Sequence, residues 1–349
     1  MSLPIIGQEA QLSYPLQKAL EKQQYRLVGN HSAVKVCQWT KNMIKGKGGC
    51  YKYKFYGIRS HQCMQMTTSM FCANRCTFCW RGEKAPVSKT WYGPIDPPEY
   101  ILKEAVKRHL KLLNGFGGSE KVNKYMKEQK ESVRHVALSL TGEPITYPLL
   151  NEILKQFHEQ KISTFLVTNA QFPEAMKKIE NVTQLYISVD APDKISLKSI
   201  DRPLFKNYYE RLLQCLDIMA KKKFRTCIRL TVIKNSNDNN FEGYAKLIKR
   251  GQPNFIEAKS YMHVGASQKY HKADDMPSQQ EVMEFSKKII EHLPEYEIVD
   301  EHEPSRAVLM MKKSLNKKRY IDFHTFFDIA NSGKKAATEE YSKEQMCPN

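Results

Sequence analysis

The sequence predicts an α/β protein built as a partial, open barrel of the (βα)6 type, with parallel strands inside and helices outside. Three observations carry this reading. Short apolar runs alternate with amphipathic helical segments between residues 64 and 259, and repeated βα units with short links make a parallel sheet. Six such runs can be counted, short of the eight that close a complete barrel. Most of them end in a polar or reactive residue, as expected where functional groups gather at the C-terminal ends of parallel strands.

Residues 1–62 are mixed in character, with a Gly-rich turn at Lys45–Gly49 ahead of Cys50. Met64–Phe71 is the first expected strand and leads into a cysteine-bearing loop. Pro98–Leu113 reads as a helix with Lys103, Lys107, Arg108 and Lys111 on its polar side. Val136–Leu140 is the second strand, ending in TGEP. Pro148 opens a helix whose Leu150, Ile153, Leu154 and Phe157 follow the i, i+3, i+4, i+7 pattern. Thr164–Thr168 and Gln184–Val189 are the third and fourth strands, followed by a helix around Leu212, Leu213, Leu216 and Met219. Thr226–Ile233 is the fifth, a helix covers Tyr244, Leu247 and Ile248, and Phe255–Lys259 is the sixth. Lys317, Lys318 and Arg319 begin a polar stretch whose end, 334–349, looks frayed. The organisation expected is an N-terminal extension at 1–62, the barrel at 63–311 and a basic tail at 312–349.

A length of 349 residues suits one large or two modest domains. At 41% hydrophobic residues the chain can fill a core, which excludes wholesale disorder. No apolar stretch approaches the roughly 18 residues of a membrane span. The N-terminus turns polar too early for a signal peptide. A soluble, cytoplasmic protein is expected. With 55 Lys and Arg against 37 Asp and Glu, the formal net charge is +18, spread along the chain. Such a surplus attracts polyanions through counterion release; general solubility is the other reading.

The nine cysteines are Cys37, Cys50, Cys63, Cys72, Cys76, Cys79, Cys215, Cys227 and Cys347. An odd number without a secretion signal argues against a disulfide framework. Cys72, Cys76 and Cys79 form a C-x3-C-x2-C run, CANRCTFC. Structural zinc wants four closed ligands, so three thiolates fall one short unless Cys63 joins them. A four-iron cluster held by three thiolates instead leaves one iron open. That iron can chelate the amino and carboxylate groups of S-adenosylmethionine (SAM) for reductive cleavage. Cys37, Cys50 and Cys63 lie at equal 13-residue intervals and can converge into a second three-thiolate site, although buried free cysteines are common. Cys215 and Cys227 read as core, and Cys347 lies near the polar end.

The strand ends supply the remaining candidates. Gly142, Glu143 and Pro144 follow the second strand, where a carboxylate can hold the SAM ammonium. Thr168 and Asn169 end the third. Ser188 and Asp190 share one face of the fourth and can reach ribose or substrate. Arg229, in the fifth, can pair with a carboxylate. For each residue alone, turn or capping chemistry is an equal reading. Lys52, two residues after Cys50, can form a Schiff base with a carbonyl substrate; by chemistry alone Lys54 is equally eligible.

CANRCTFC, with aromatic Phe78 before its last cysteine, resembles the signature of the radical SAM superfamily, and GEP at 142–144 resembles that superfamily's amino-group-binding motif. More closely, the chain resembles the archaeal-type tRNA 4-demethylwyosine synthases through HSAVKVCQW, GCYKYKFYGIRSHQCMQMT, NRCTFCWR, LSLTGEP, TQLYISVDAP, EAKSYMHVGASQ and EPSRAVLMM. Together these cover most of residues 25–311.

The resemblance implies a lyase of wyosine biosynthesis. It condenses N1-methylguanosine beside the anticodon of phenylalanine tRNA with two carbons of pyruvate. It implies two 4Fe-4S clusters: one on Cys72, Cys76 and Cys79 that cleaves SAM, and one on Cys37, Cys50 and Cys63. Phe78 would lie near the adenine, and Lys52 matches the lysine proposed to form the Schiff base with pyruvate. The 5′-deoxyadenosyl radical would take hydrogen from the N-methyl group, and the methylene radical would add to the pyruvate carbonyl carbon. The target nucleoside would leave its stack to react, and the basic surface would hold the tRNA backbone.

Two departures stand out. Ala170 occupies a position where the family often has Gly, and the flavodoxin-like domain fused to the eukaryotic enzymes is not seen, so an external electron donor is expected. A monomer is expected. The rival readings are another radical SAM enzyme acting on RNA, such as a thiolating one, and a non-catalytic zinc protein that binds RNA.

Overall fold

The computed structural model describes residues 12–82, 85–116, 122, 127, 129 and 131–346. Its main sheet has ten strands: β1 (Arg26–Val28), β2 (Ser32–Lys35), β3 (Cys63–Thr67), β4 (His135–Leu138), β5 (Ser163–Thr168), β6 (Gln184–Ser188), β7 (Thr226–Val232), β8 (Phe255–Ser260), β9 (Tyr296–His302) and β10 (Ala307–Lys312). The spatial order is β1-β2-β3-β4-β5-β6-β7-β8-β10-β9. From β3 to β8 every pairing is parallel. These are the six strands the sequence predicts, and the sheet stays open.

Four strands lie outside that expectation, two at each edge and all antiparallel. β1 and β2 have three and four residues, too few for a periodic signal. Edge strand β9, YEIVDEH, is only partly buried and polar enough to read as a loop. It shields β10, whose Ala307–Met311 is fully buried.

The central strands are apolar because both of their faces are covered; every residue of β5 is buried. Outside, the helix Leu150–Glu159 buries Leu150, Ile153, Leu154 and Phe157, the stripe its periodicity predicts. The helix Pro98–Leu113 forms over the expected residues. Its Lys103, Lys107 and Lys111 are exposed, and Lys107 and Arg108 both face Glu104.

Inside, the concave face is filled by the short helix Tyr51–Tyr56, which ends at Gly57 with φ +84°. Tyr56 donates through its hydroxyl to Glu257 on β8 at 2.7 Å and packs edge-on against Phe255 at 5.3 Å. Lys54 pairs with Asp300 on β9 at 3.0 Å, and Trp39 meets His302 edge-on at 5.4 Å. The segment before β3 therefore spans the gap between the two ends of the open barrel.

The C-terminal stretch is packed rather than frayed. Arg225 is fully buried in the core, and a buried guanidinium needs acceptors. It donates to Gln184 Oε1 at 3.1 Å, to Ser342 Oγ at 2.6 Å and to the Arg319 carbonyl at 2.7 Å. The small ribbon β11 (Tyr320–Ile321) with β12 (Ser342–Lys343), and the buried Phe326, Phe327, Ala336 and Tyr341, complete the seal. Polar composition concealed these anchors. Cys347 lies outside the described residues. Cys215 and Cys227 are buried, as expected. Among the described residues no helix is long and apolar enough to cross a membrane.

Candidate active site

At the C-terminal ends of the parallel strands lies a cleft of about 350 Å³. The loop after β3 carries Cys72, Cys76 and Cys79 into it. Backbone bonds pin that loop on both sides. Cys72 exchanges bonds with Pro86 and Ser88, while Arg75 and Thr77 donate to the carbonyls of Asp201 and Ile200. The sulfurs meet nitrogen donors. Asn169 Nδ2 donates to Cys72 Sγ at 3.1 Å and the Asn74 backbone N–H at 3.4 Å; Arg81 Nε donates to Cys79 Sγ at 3.4 Å. Burial pushes the Cys72 thiol up to about 11, opposed by Arg81. Burial, and then Asp201, push the Cys76 thiol well above its ordinary range. Three sulfurs on one loop, costly to ionise as free thiols and with N–H donors on Cys72 and Cys79, fit a cationic iron–sulfur cluster, which takes them as thiolates.

A closed zinc site here needs Cys63 as its fourth ligand. The charged groups acting on Cys63 are Cys50, Cys37 and Lys52, not the Cys72–Cys79 run.

The second strand end builds an acidic pocket. Gly142 has φ +67°, and a Cβ there would collide with the Ser69 carbonyl oxygen. That tight turn carries Glu143, 2% exposed, into the cleft. Its Oε2 accepts from the Asn169 backbone N–H at 3.0 Å, whereas Oε1 has no partner among the described residues. Burial raises the carboxyl to about 7, against bonds from Thr168 and Asn169. An orphaned carboxylate oxygen facing the cleft suits an ammonium group. Pro144 follows, its carbonyl bound by Thr68 Oγ1 at 3.0 Å.

Along the floor, Arg229 Nη2 donates to Ser188 Oγ at 3.0 Å. Asp190 is buried with Oδ1 unpartnered among the described residues; burial lifts it to about 6, with Arg229 opposing. The cleft thus gathers Phe78, Gly142, Glu143, Pro144, Thr168, Asn169, Ser188, Asp190 and Arg229, every cofactor-contact candidate from the sequence. Ala170, behind them, has φ +59°, a conformation glycine adopts freely and an L-residue holds at about 1–2 kcal/mol.

The β2–β3 register, Lys35 opposite Gln65, carries Cys37 alongside Cys63. Cys37 and Cys50 each precede the first turn of a short helix. Burial and then Cys50 raise the Cys37 thiol; burial, Cys50 and Cys37 raise Cys63, with Lys52 opposing. Ser60 Oγ donates to Cys50 Sγ at 3.3 Å. The three cysteines at 13-residue intervals are neighbours in space, with Lys52 beside them.

Lys52 does not line the cleft itself; its neighbour Tyr51 does. Its ammonium sits deeper, 4.3 Å from the Tyr186 ring centroid and 5.7 Å from that of Phe165. Lys54 points outward to Asp300, 47% exposed. Geometry thus separates two lysines that residue chemistry alone left equivalent, in line with the resemblance that singled out Lys52. Cleft residues the sequence reading did not single out include Arg81, Lys259 and Tyr261. Arg81 was signalled only by standing two residues past Cys79, and Lys259 by ending the sixth predicted strand. Burial lowers the Lys259 ammonium to about 8, assisted by Arg229 and opposed by Glu257.

Known proteins share this arrangement. Residues 66–248 match the family model described as the radical SAM superfamily, and residues 250–312 match wyosine base formation. The chain is 36% identical to a solved structure described as TYW1 with a lysine-pyruvate adduct bound, covering 90% of this chain and 99% of that one with a TM-score of 0.79. This chain belongs to the TYW1 family of radical SAM proteins. An archaeal TYW1 crystal structure is 33% identical over 87% of this chain and 97% of its own, with a TM-score of 0.71.

The S-adenosyl-L-methionine-dependent tRNA 4-demethylwyosine synthase of Schizosaccharomyces pombe is 46% identical over 94% of this chain and 49% of its own length. The TYW1 enzyme of Homo sapiens is 45% identical over 92% and 44% respectively. The chain spans about half the length of these curated relatives. Radical SAM membership implies SAM and a 4Fe-4S cluster.

Proposed function

We propose that this protein is a tRNA 4-demethylwyosine synthase that condenses N1-methylguanosine in phenylalanine tRNA with two carbons of pyruvate. The observation that carries the reading is the placement of Lys52, beneath the cleft and beside Cys37, Cys50 and Cys63. A generic radical SAM cleft has no need of a lysine or a second cysteine triad there. A relative of nearly matched length is described with a lysine-pyruvate adduct, which supports the same chemistry here.

In this reading Cys72, Cys76 and Cys79 hold a 4Fe-4S cluster that, when bound, supplies the electron for cleaving SAM. Glu143 takes the ammonium group on its free Oε1. Ser188, Asp190 and Arg229 offer polar contacts along the floor, Gly142, Pro144, Thr168 and Asn169 shape the wall, and Phe78 provides an apolar surface for the adenine. Cys37, Cys50 and Cys63 hold a second 4Fe-4S cluster. Lys52, as the free amine, attacks the pyruvate ketone, and the carbonyl oxygen leaves as water when the imine forms. The aromatic walls Phe165 and Tyr186 keep bulk water from that imine.

The exposed lysines of the 98–113 helix and the overall positive charge favour the tRNA backbone. An external electron donor, a monomeric state, the archaeal type and a cytoplasmic location complete the proposal. The experiment is to incubate anaerobically reconstituted protein with pyruvate, reduce with borohydride and map the adduct by peptide mass spectrometry. A modified Lys52, together with conversion of N1-methylguanosine tRNA in the presence of SAM and a reductant, is the expected result. Turnover with no requirement for a keto acid would overturn it.

A further inference from the structure

We propose that Lys259 is the carboxylate anchor for the keto acid that condenses with Lys52. This rests on the reading above and extends it to a residue with no assigned role. Lys259 ends β8 and lines the cleft, on the opposite edge of the open barrel from the segment that carries Lys52. The two lysines share neighbours. Glu257 feels Lys52 and acts on Lys259, and Cys37 does the same. Glu257 and Lys259 share one face of β8, and Glu257 accepts from Tyr56 on the helix that carries Lys52. Both lysines therefore flank Glu257 between the cleft and the second cysteine triad.

Cations outnumber carboxylates around that space. Lys259 lies in the field of Arg229 and Arg306 as well as Glu257, Glu257 in that of Lys52 and Arg229, and Asp190 in that of Arg229. Glu257 accepts from Tyr56 through Oε1 at 2.7 Å, leaving Oε2 without a partner among the described residues, and Asp190 is buried beside Arg229. Among the described residues no hydrogen bond holds the Lys259 ammonium. Clustered, partly desolvated cations are costly, and a small anion placed between them relieves that cost.

The anion must also carry a carbonyl within reach of Lys52, which describes an α-keto acid. Its carboxylate is bonded directly to the carbon that Lys52 attacks, so one lysine holds the acid while the other attacks the ketone. Lys259 on this account is a binding residue for the carboxyl group that the reaction removes.

Borohydride trapping on the full reconstituted chain tests this, with pyruvate titrated against the unaltered protein, Lys259→Met and Lys259→Arg. Loss of a charge-assisted contact should raise the half-saturating pyruvate concentration roughly 10- to 100-fold in the Met variant, and Arg should restore most of it. Binding of SAM, followed by calorimetry, should be unchanged. Pyruvamide offers a check that needs no mutation. The neutral amide should trap more weakly than pyruvate on the unaltered protein, and by no such margin on Lys259→Met.

Equal trapping of pyruvate and pyruvamide by the unaltered protein would overturn the assignment. So would a Lys259→Met loss that falls on SAM affinity alone, which would make Lys259 a SAM contact. If the unaltered protein traps no pyruvate on any lysine, the keto-acid reading itself fails, and that outcome is distinct from the other two.

Discussion

Asn169 binds Cys72 through its side chain at 3.1 Å and Glu143 through its backbone N–H at 3.0 Å. One residue after β5 thus ties the cysteine loop to the Glu143 turn. The side-chain bond stabilises negative charge on sulfur, and that charge is larger in a reduced cluster. Asn169→Ala should therefore lower the midpoint potential of the SAM-cleaving cluster by about 40 mV, the equivalent of one hydrogen bond of about 1 kcal/mol. The Glu143 contact survives because it uses the backbone. A potentiometric titration followed by electron paramagnetic resonance gives the answer, and an unchanged potential would show that the bond does not bear on the cluster.

Gly142 holds φ +67° against the Ser69 carbonyl. Gly142→Ala combines a strained backbone with a collision against main chain, which has no room to move. The expected cost is about 2 kcal/mol or more, read from urea unfolding. SAM affinity should fall as well, because the turn aims Glu143.

The two cysteine triads make separate predictions for metal content. Reconstituted protein should carry about eight iron and eight sulfide per chain, and Cys37→Ala, Cys50→Ala or Cys63→Ala should each reduce this to about four. SAM cleavage should persist in those variants and tRNA product should not form. Four iron in the unaltered protein would remove the second cluster.

Lys54 serves as the control for Lys52. Its own side chain is about half exposed where it pairs with Asp300, and pairs that reach solvent contribute about 0–1 kcal/mol. Lys54→Ala should leave pyruvate trapping intact and shift unfolding only slightly. Lys52→Ala should abolish trapping.

His109 is fully buried, with neither ring nitrogen partnered among the described residues. Burial lowers it from 6.5 to about 4. Its neutral form carries no penalty above pH 6.5. Between pH 6.5 and 4 the unfolded chain takes up a proton that the folded one refuses, so stability falls as pH falls and levels off below 4. At pH 5 the loss is about 2 kcal/mol. His109→Leu should flatten this part of the pH–stability curve, measured by denaturant unfolding at pH 7 and pH 5.

The sequence by itself determined the six parallel strands, the cysteine loop after the first of them and the polar residues at strand ends. Those signals are local: an apolar run, a fixed cysteine spacing, a polar residue closing a strand. Periodicity placed the helix at 98–113 and the buried stripe at 150–157 for the same reason.

Only the tertiary structure decided what depends on partners far away in the chain. Lys52 and Lys54 look alike in YKYKFY until the helix enters the barrel, where one side chain meets Tyr186 and the other meets Asp300. Lys259 reads as the last residue of a strand until Cys37 and Glu257 are brought beside it. The C-terminal stretch reads as frayed until Arg225 needs its oxygens. In each case burial sets the role, and burial is decided by which elements pack together, not by the order of residues along one of them.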